Sequence, residues 1–259
     1  MDAAPATANI APKYRIWLPY WAVFQTDLRQ TVRGWTYRLW VTAMTLTAFG
    51  YLLYRMGVHR EAGLIQSASL VMSDLLRWVV LGSTALIAAL TVGSISSERG
   101  TLADSVLSRG ISRFQYYLAK WHSRLATVLG TFLLVGGVML VASHFLLREN
   151  LTLSGSATAL LLLGAFFTLV VSCGVTLSSM CNSTLLGMSL LWLFLYGGGF
   201  LLELLPKGLP TPDRVLRQMP DILQGDYDPT AVMQMLVAAG ALSAVAGLAG
   251  MISFSRRDV

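Results

Sequence analysis

Residues Glu98–Lys120 read ERGTLADSVLSRGISRFQYYLAK, a polar island in an otherwise oily chain. Two helix starts lie within it. Thr101 followed by Asp104 is a capping box, in which a hydroxyl and a carboxylate satisfy the first free amides of a helix. Ser112 followed by Gln115 repeats the device. Between them Arg109-Gly110 is a stop signal, because glycine tolerates the left-handed conformation in which helices end. The pattern predicts a short helix, Leu102 to Ser108, between two long ones. A short capped rod on a tight connection is a shape another protein can grip. The plainer reading of the same residues is a solvated loop.

The surrounding sequence places that connection in a membrane protein. Of 259 residues, 55% are apolar and 12% charged, against about 25% charged in an ordinary soluble domain. The apolar residues come in blocks near twenty long, the length that crosses about 30 Å of hydrocarbon. Six blocks are expected to span: Trp35 to Tyr54, Leu76 to Ile95, Leu125 to Leu146, Ala157 to Leu177, Leu185 to Leu205 and Ala231 to Phe254. The fourth and fifth are separated by the short Cys181-Asn182-Ser183 link. Residues 1–15 are polar and proline-broken, read as a disordered tail with no apolar core of a cleavable signal peptide. Residues 16–259 form one transmembrane domain.

Before the first block, Trp17, Trp21, Phe24, Leu28 and Val32 recur every three or four positions, with Gln25, Arg29, Gln30 and Arg33 elsewhere on the wheel. A basic, tryptophan-rich amphipathic helix lies in the membrane interface, and Gly34 separates it from the first block. The alternative is the start of the first span. Arg38 and Lys120 sit near span ends, where basic side chains can snorkel to water.

Orientation follows from lysine and arginine. With six spans, both termini share a side with the Glu98 connection. That side holds Lys13, Arg15, Arg29, Arg33, Arg38, Arg99, Arg109, Arg113, Lys120, Arg124, Arg256 and Arg257, set against five acids. The other holds Arg55, Arg60, Arg77, Arg148, Lys207, Arg214 and Arg217, set against eight. Both termini and the Glu98 connection are therefore expected in the cytoplasm, and the net charge of +6 is a topology signal that needs no nucleic acid. The longest outer loop, Pro206 to Pro229, is expected to hold a short surface helix from Asp213 to Met219.

Little in the chain points to chemistry. No charge sits near the middle of a proposed span, where burial costs roughly 2.5–3.5 kcal/mol and is kept for ion or proton pathways. His59, His122 and His144 are spread over both ends and do not converge with cysteine on a metal. Cys173 and Cys181 stand about 12 Å apart along a helix, too far for a disulfide. Ser172, Ser178 and Ser179 read as helix-packing hydroxyls, and Gly155 as a loop glycine. Gly197-Gly198-Gly199 permits either close helix contact or a helix break. With no phosphate-binding loop, the chain is expected to be non-catalytic and to draw energy from a partner.

Glu98-Arg99-Gly100-Thr101-Leu102, then Leu107-Ser108, Ile111-Ser112-Arg113 and Lys120, resembles the signature of permease subunits of type-2 ABC transporters. The subgroup containing the nitrous-oxide-reductase maturation permease is the most similar in pattern. The terminal Phe254-Ser255-Arg256-Arg257-Asp258 is similar to the ends of its members. Gly110 stands where proline is usual, and Ala119 where glycine is common. The resemblance implies an all-α integral membrane protein: an N-terminal interfacial helix, six transmembrane helices, and a cytoplasmic coupling helix between the second and third. It implies docking on a separate ATPase through Glu98, Arg99, Gly100, Thr101, Leu102, Asp104, Val106, Leu107, Ser108, Arg109, Ser112 and Arg113. Leu102, Val106 and Leu107 would offer the apolar face, and the charged residues the contacts around it. It also implies a homodimer with two ATPase chains that bind the ATP and Mg, no cofactor in this chain, export, and residence in the plasma membrane. A rival expectation is a subunit relaying ATPase motion to an extracytoplasmic protein with no solute crossing. A membrane-embedded enzyme is a third.

Overall fold

The structure, a computed structural model of the chain, describes residues 17–62, 67–98, 111–147, 151–204 and 212–256. The described residues form nine helices: α1 (Leu18–Arg33), α2 (Trp35–Ala62), α3 (Ala68–Ser96), α4 (Arg113–Leu147), α5 (Leu153–Met180), α6 (Thr184–Leu204), α7 (Pro212–Arg217), α8 (Met219–Gln224) and α9 (Pro229–Arg256). Four helices are long and apolar enough to cross a membrane: α3, α4 through Phe145, α5 and α9. The chain is thus an all-α protein of multi-pass membrane type. α2 is equally long but interleaves its apolar residues with threonines, Arg38 and Arg55. α6 contributes a shorter apolar stretch, Thr184–Gly198.

The helices overrun the apolar blocks at most ends. α4 begins twelve residues before Leu125, at the expected capping box. There the Gln115 amide donates to Ser112 Oγ and the Ser112 amide to Gln115 Oε1, each at 3.2 Å. Hydropathy measures the hydrocarbon layer, while the backbone continues until a cap stops it.

α5 is the central helix, packed by α3, α4, α6, α8 and α9. Its burial on several faces explains why it is apolar all round. α9 is mostly exposed and buries a narrow seam, Ser243, Gly247, Gly250 and Phe254, at helical spacing. At this seam Thr176 Oγ1 donates to the Ala246 carbonyl at 2.7 Å, and Ser179 Oγ to the Gly250 carbonyl at 3.2 Å. A Cβ on Gly250 would stand 3.0 Å from Thr176 Cα, so glycine is what lets the two backbones approach. Small residues and hydroxyls hold these helices, as lipid tails leave little hydrophobic force to do so. Cys173 and Cys181 are buried free thiols.

Three local expectations change. Gly155 lies in the first turn of α5, whose N-cap Thr152 accepts the Gly155 amide at 3.1 Å. It is a close-approach glycine: the Leu223 carbonyl of α8 would sit 2.7 Å from its Cβ. The stretch expected to be one outer loop with one short helix from Asp213 to Met219 holds, among its described residues, two: α7 covers most of the expected helix, and the added α8 buries Met219, Ile222 and Leu223. Gly225 ends α8 at φ 87°, a left-handed position that favours glycine. Finally, α6 runs unbroken through Gly197 and Gly198, and a Cβ on either would meet nothing within 4 Å. Of the two readings left open there, the helix break is not seen, and among the described residues neither glycine makes a close contact.

Candidate functional site at the α3–α4 connection

Both ends of the connection are described; its middle, Arg99 to Gly110, is not. The expected helix Leu102 to Ser108 and the residues Arg99, Gly100, Thr101, Leu102, Asp104, Val106, Leu107, Ser108 and Arg109 lie outside the described residues. Glu98, Ser112 and Arg113 lie within them, and they frame a cluster built on the first turns of α4.

Tyr116, Lys120 and Arg124 recur every four residues, which stacks them on one face of α4. Lys120 does not snorkel outward as its place near a span end suggests. Its ammonium is 2.7 Å from Asp27 Oδ1 on α1 and 2.6 Å from Glu98 Oε1 at the end of α3. The Arg124 guanidinium reaches Asp27 at 3.2 Å, and the Tyr116 hydroxyl donates to Glu98 Oε2 at 2.6 Å. Two acids and two cations give a neutral cluster, which is how charges tolerate burial. The side chains of Lys120 and Asp27 are only 4% and 2% exposed. Both Glu98 oxygens are therefore engaged inside the chain, not free at the rim of a docking face.

The cluster joins three segments far apart in sequence. α1 is tied in by Asp27, and by Tyr20, whose hydroxyl lies 3.0 Å from His122 Nδ1. The end of α3 is tied in by Glu98 on one side. On the other side Ser178 Oγ of α5 accepts the amides of Ile95 at 2.8 Å and Ser96 at 3.0 Å. Ser96 and Thr184 hydroxyls meet at 2.9 Å, which adds α6. The end of α9 arrives as well: Phe254 stacks on Tyr116 at 6.0 Å between ring centroids and tilts against Tyr117 at 6.3 Å. Arg113 Nη1 approaches the Ser255 carbonyl at 3.5 Å.

Chemically the arrangement is a bracket. It fixes where the connection leaves α3 and where it enters α4. Ser178→Ala would remove a buried acceptor shared by two amides. A loss of about 1–3 kcal/mol is expected, read as a lower melting midpoint with faster hydrogen exchange at Ile95 and Ser96. Unchanged exchange there would contradict this role.

Asp27 and Tyr116 are the residues that the sequence left unassigned. Asp27 is the lone acid of α1, and its signal is weak. Tyr116 carries a better one, the four-residue spacing to Lys120 and Arg124. No known family model matches the chain, and no curated protein matches its sequence.

Proposed function

We propose that the chain is the membrane-spanning subunit of a type-2 ATP-binding cassette transporter, in which the α3–α4 connection is the coupling helix that docks on a separate ATPase. In this reading α2, α3, α4, α5, α6 and α9 are the six spans. Both termini and the connection face the cytoplasm, and the chain resides in the plasma membrane. Two copies pair with two ATPase chains, and ATP hydrolysed there drives export.

The observation that carries the reading is the bracket beneath the connection. A docking rod transmits force only if its two ends are rigidly joined to the spans. Glu98 and Lys120 are paired at 2.6 Å across the two ends of the connection. Ser178 grips the same end of α3 from α5. A push on the connection is thus delivered to α1, α3, α4 and α5 together, the kind of rigid-body tilt by which packed helices switch. The apolar side chains Leu102, Val106 and Leu107 seat in the partner. Coexpressed with candidate ATPases, Val106→Asp or Leu107→Asp is expected to weaken co-purification at least tenfold, as loss of a buried hot-spot contact does. Tight, functional pairing that survives both changes would sink the docking model.

One observation favours the rival relay to an extracytoplasmic protein. α3 is a single rod of 29 residues, about 43 Å long. Its inner end carries Glu98, while its outer end packs on α8 of the outer loop, where Gln224 Nε2 donates to Ser69 Oγ at 2.8 Å. Motion at one end of α3 therefore reaches a loop that a partner can hold.

A further inference from the structure

α1 has three distinct sides. Asp27 and Thr31 are buried toward the bundle. Trp17, Trp21 and Val32 form an exposed apolar flank, at 63%, 54% and 43%. Arg29 and Arg33, one turn apart and exposed, form the third. At about 100° per residue, Trp21 and Arg29 stand about 80° apart around the axis, and Asp27 about 160° from Arg29.

The position of Asp27 decides what α1 offers its surroundings. Asp27 is the only acid of this helix. Its carboxylate is buried, with Lys120 and Arg124 both on Oδ1, so the exposed surface of α1 carries cations alone. Among the described residues, Arg29 and Arg33 have no ionic or hydrogen-bond partner, nor does Arg38 at the start of α2. The buried ion pair also fixes the helix in rotation, so the tryptophan flank and the arginine flank hold a constant angle. Trp35, 76% exposed, extends the aromatic flank past Gly34.

We propose that α1 is a binding site for anionic phospholipid: Arg29 and Arg33 hold the phosphate headgroup, and the Trp17–Trp21–Val32 flank lies against the acyl chains beneath it. Tryptophan at the headgroup boundary with arginine beside it is the pairing that such lipids select. A water-facing protein partner would meet the arginines but leave the tryptophans exposed, and a neutral lipid would satisfy the tryptophans but not the cations. The inference goes beyond the transporter reading and does not depend on it.

The test uses the full chain in nanodiscs of phosphatidylcholine, with and without phosphatidylglycerol. Native mass spectrometry counts phosphatidylglycerol retained on release. The wild type is expected to retain it in preference to phosphatidylcholine, and high salt to erase the preference. Arg29→Gln with Arg33→Gln is expected to weaken retention about thirty-fold, as two basic residues at an anionic surface imply. Arg77→Gln, an exposed cation on α3, serves as the control and is expected to change nothing. Equal retention by the double variant, or an equal loss in the control, overturns the site. Should the double variant misfold, the wild type decides through acyl-brominated lipids. Brominated phosphatidylglycerol is expected to quench Trp17 and Trp21 more than brominated phosphatidylcholine does, and equal quenching overturns the proposal. Neither readout involves ATP or a partner chain, so a failure here is distinct from a failure of ATPase docking.

Discussion

Lys120→Met is expected to lower the unfolding free energy of the solubilised chain by about 3–5 kcal/mol, the range for breaking a buried ion pair from one side. The Lys120 side chain is 4% exposed, and its ammonium sits between Asp27 at 2.7 Å and Glu98 at 2.6 Å. Methionine matches its length and keeps the packing, so the change isolates the charge. Two carboxylates would then share one dry site, Asp27 retaining Arg124 at 3.2 Å and Glu98 retaining only the Tyr116 hydroxyl. The cost comes from the acids left behind more than from the lost attraction, and that gives the control. Adding Glu98→Gln removes the stranded charge and leaves the neutral Asp27–Arg124 pair, so the double variant is expected to recover much of the loss. Denaturant melts read the stability, and hydrogen exchange reads the place. Deprotection is expected both at the end of α3 and along α1, because Lys120 holds them together. A melt within about 0.5 kcal/mol of wild type, the scatter of ordinary surface changes, would show that the cluster does not hold the bracket. Deprotection confined to α3 would show that Asp27 is not what fastens α1.

Much of the helical order is legible in the sequence because its signals are local. The Ser112–Gln115 box, the break at Gly34 and the Cys181 link each depend on a few adjacent residues, and α4, α1 and α5 end or begin where those residues stand. The buried charges are not legible, for a physical reason. A helical wheel shows which side is polar, but not whether that side meets water or another polar side. Lys120 near a span end reads as a snorkelling cation, yet its partner Asp27 lies 93 residues away. The same limit hides the withdrawal of Asp27 from the surface of α1, whose arginines the sequence does show. Gly155 misleads for a related reason: a glycine in a Ser-Gly-Ser run looks like a turn until the backbone that crosses it is known. The side chains from Leu102 to Ser108, which are expected to dock on a partner, fall outside the described residues, so the sequence remains their only witness.

Gly155→Val is expected to be the second most damaging change, and it bears on the choice between the two proposed functions. A Cβ at this position would stand 2.7 Å from the Leu223 carbonyl oxygen and closer still to that of Ile222. Both obstacles are backbone atoms, so no side chain can swing away, and relief requires α8 to lift from α5. Lifting it would break the Thr152 amide bond to the Leu223 carbonyl at 3.0 Å and expose Met219, Ile222 and Leu223. Overpacking costs about 1–3 kcal/mol where the surroundings can adjust, and a loss at or above the top of that range is expected here. Gly155→Ala should show a smaller loss in the same direction, since the clash begins at Cβ. Hydrogen exchange is expected to rise in residues 219–227 and in the first turn of α5, while the cluster around Lys120, at the far end of α3, stays protected. That separation makes the variant a discriminator. If the chain works by relaying motion to an outer partner, a loosened α8 should abolish partner binding while ATPase pairing survives. If it moves a solute, transport should fall only as far as the folded fraction does. Full stability in Gly155→Val would mean that α8 does not seat on α5, and the proposed relay from the cluster at Glu98 to the α8 segment would lose its support.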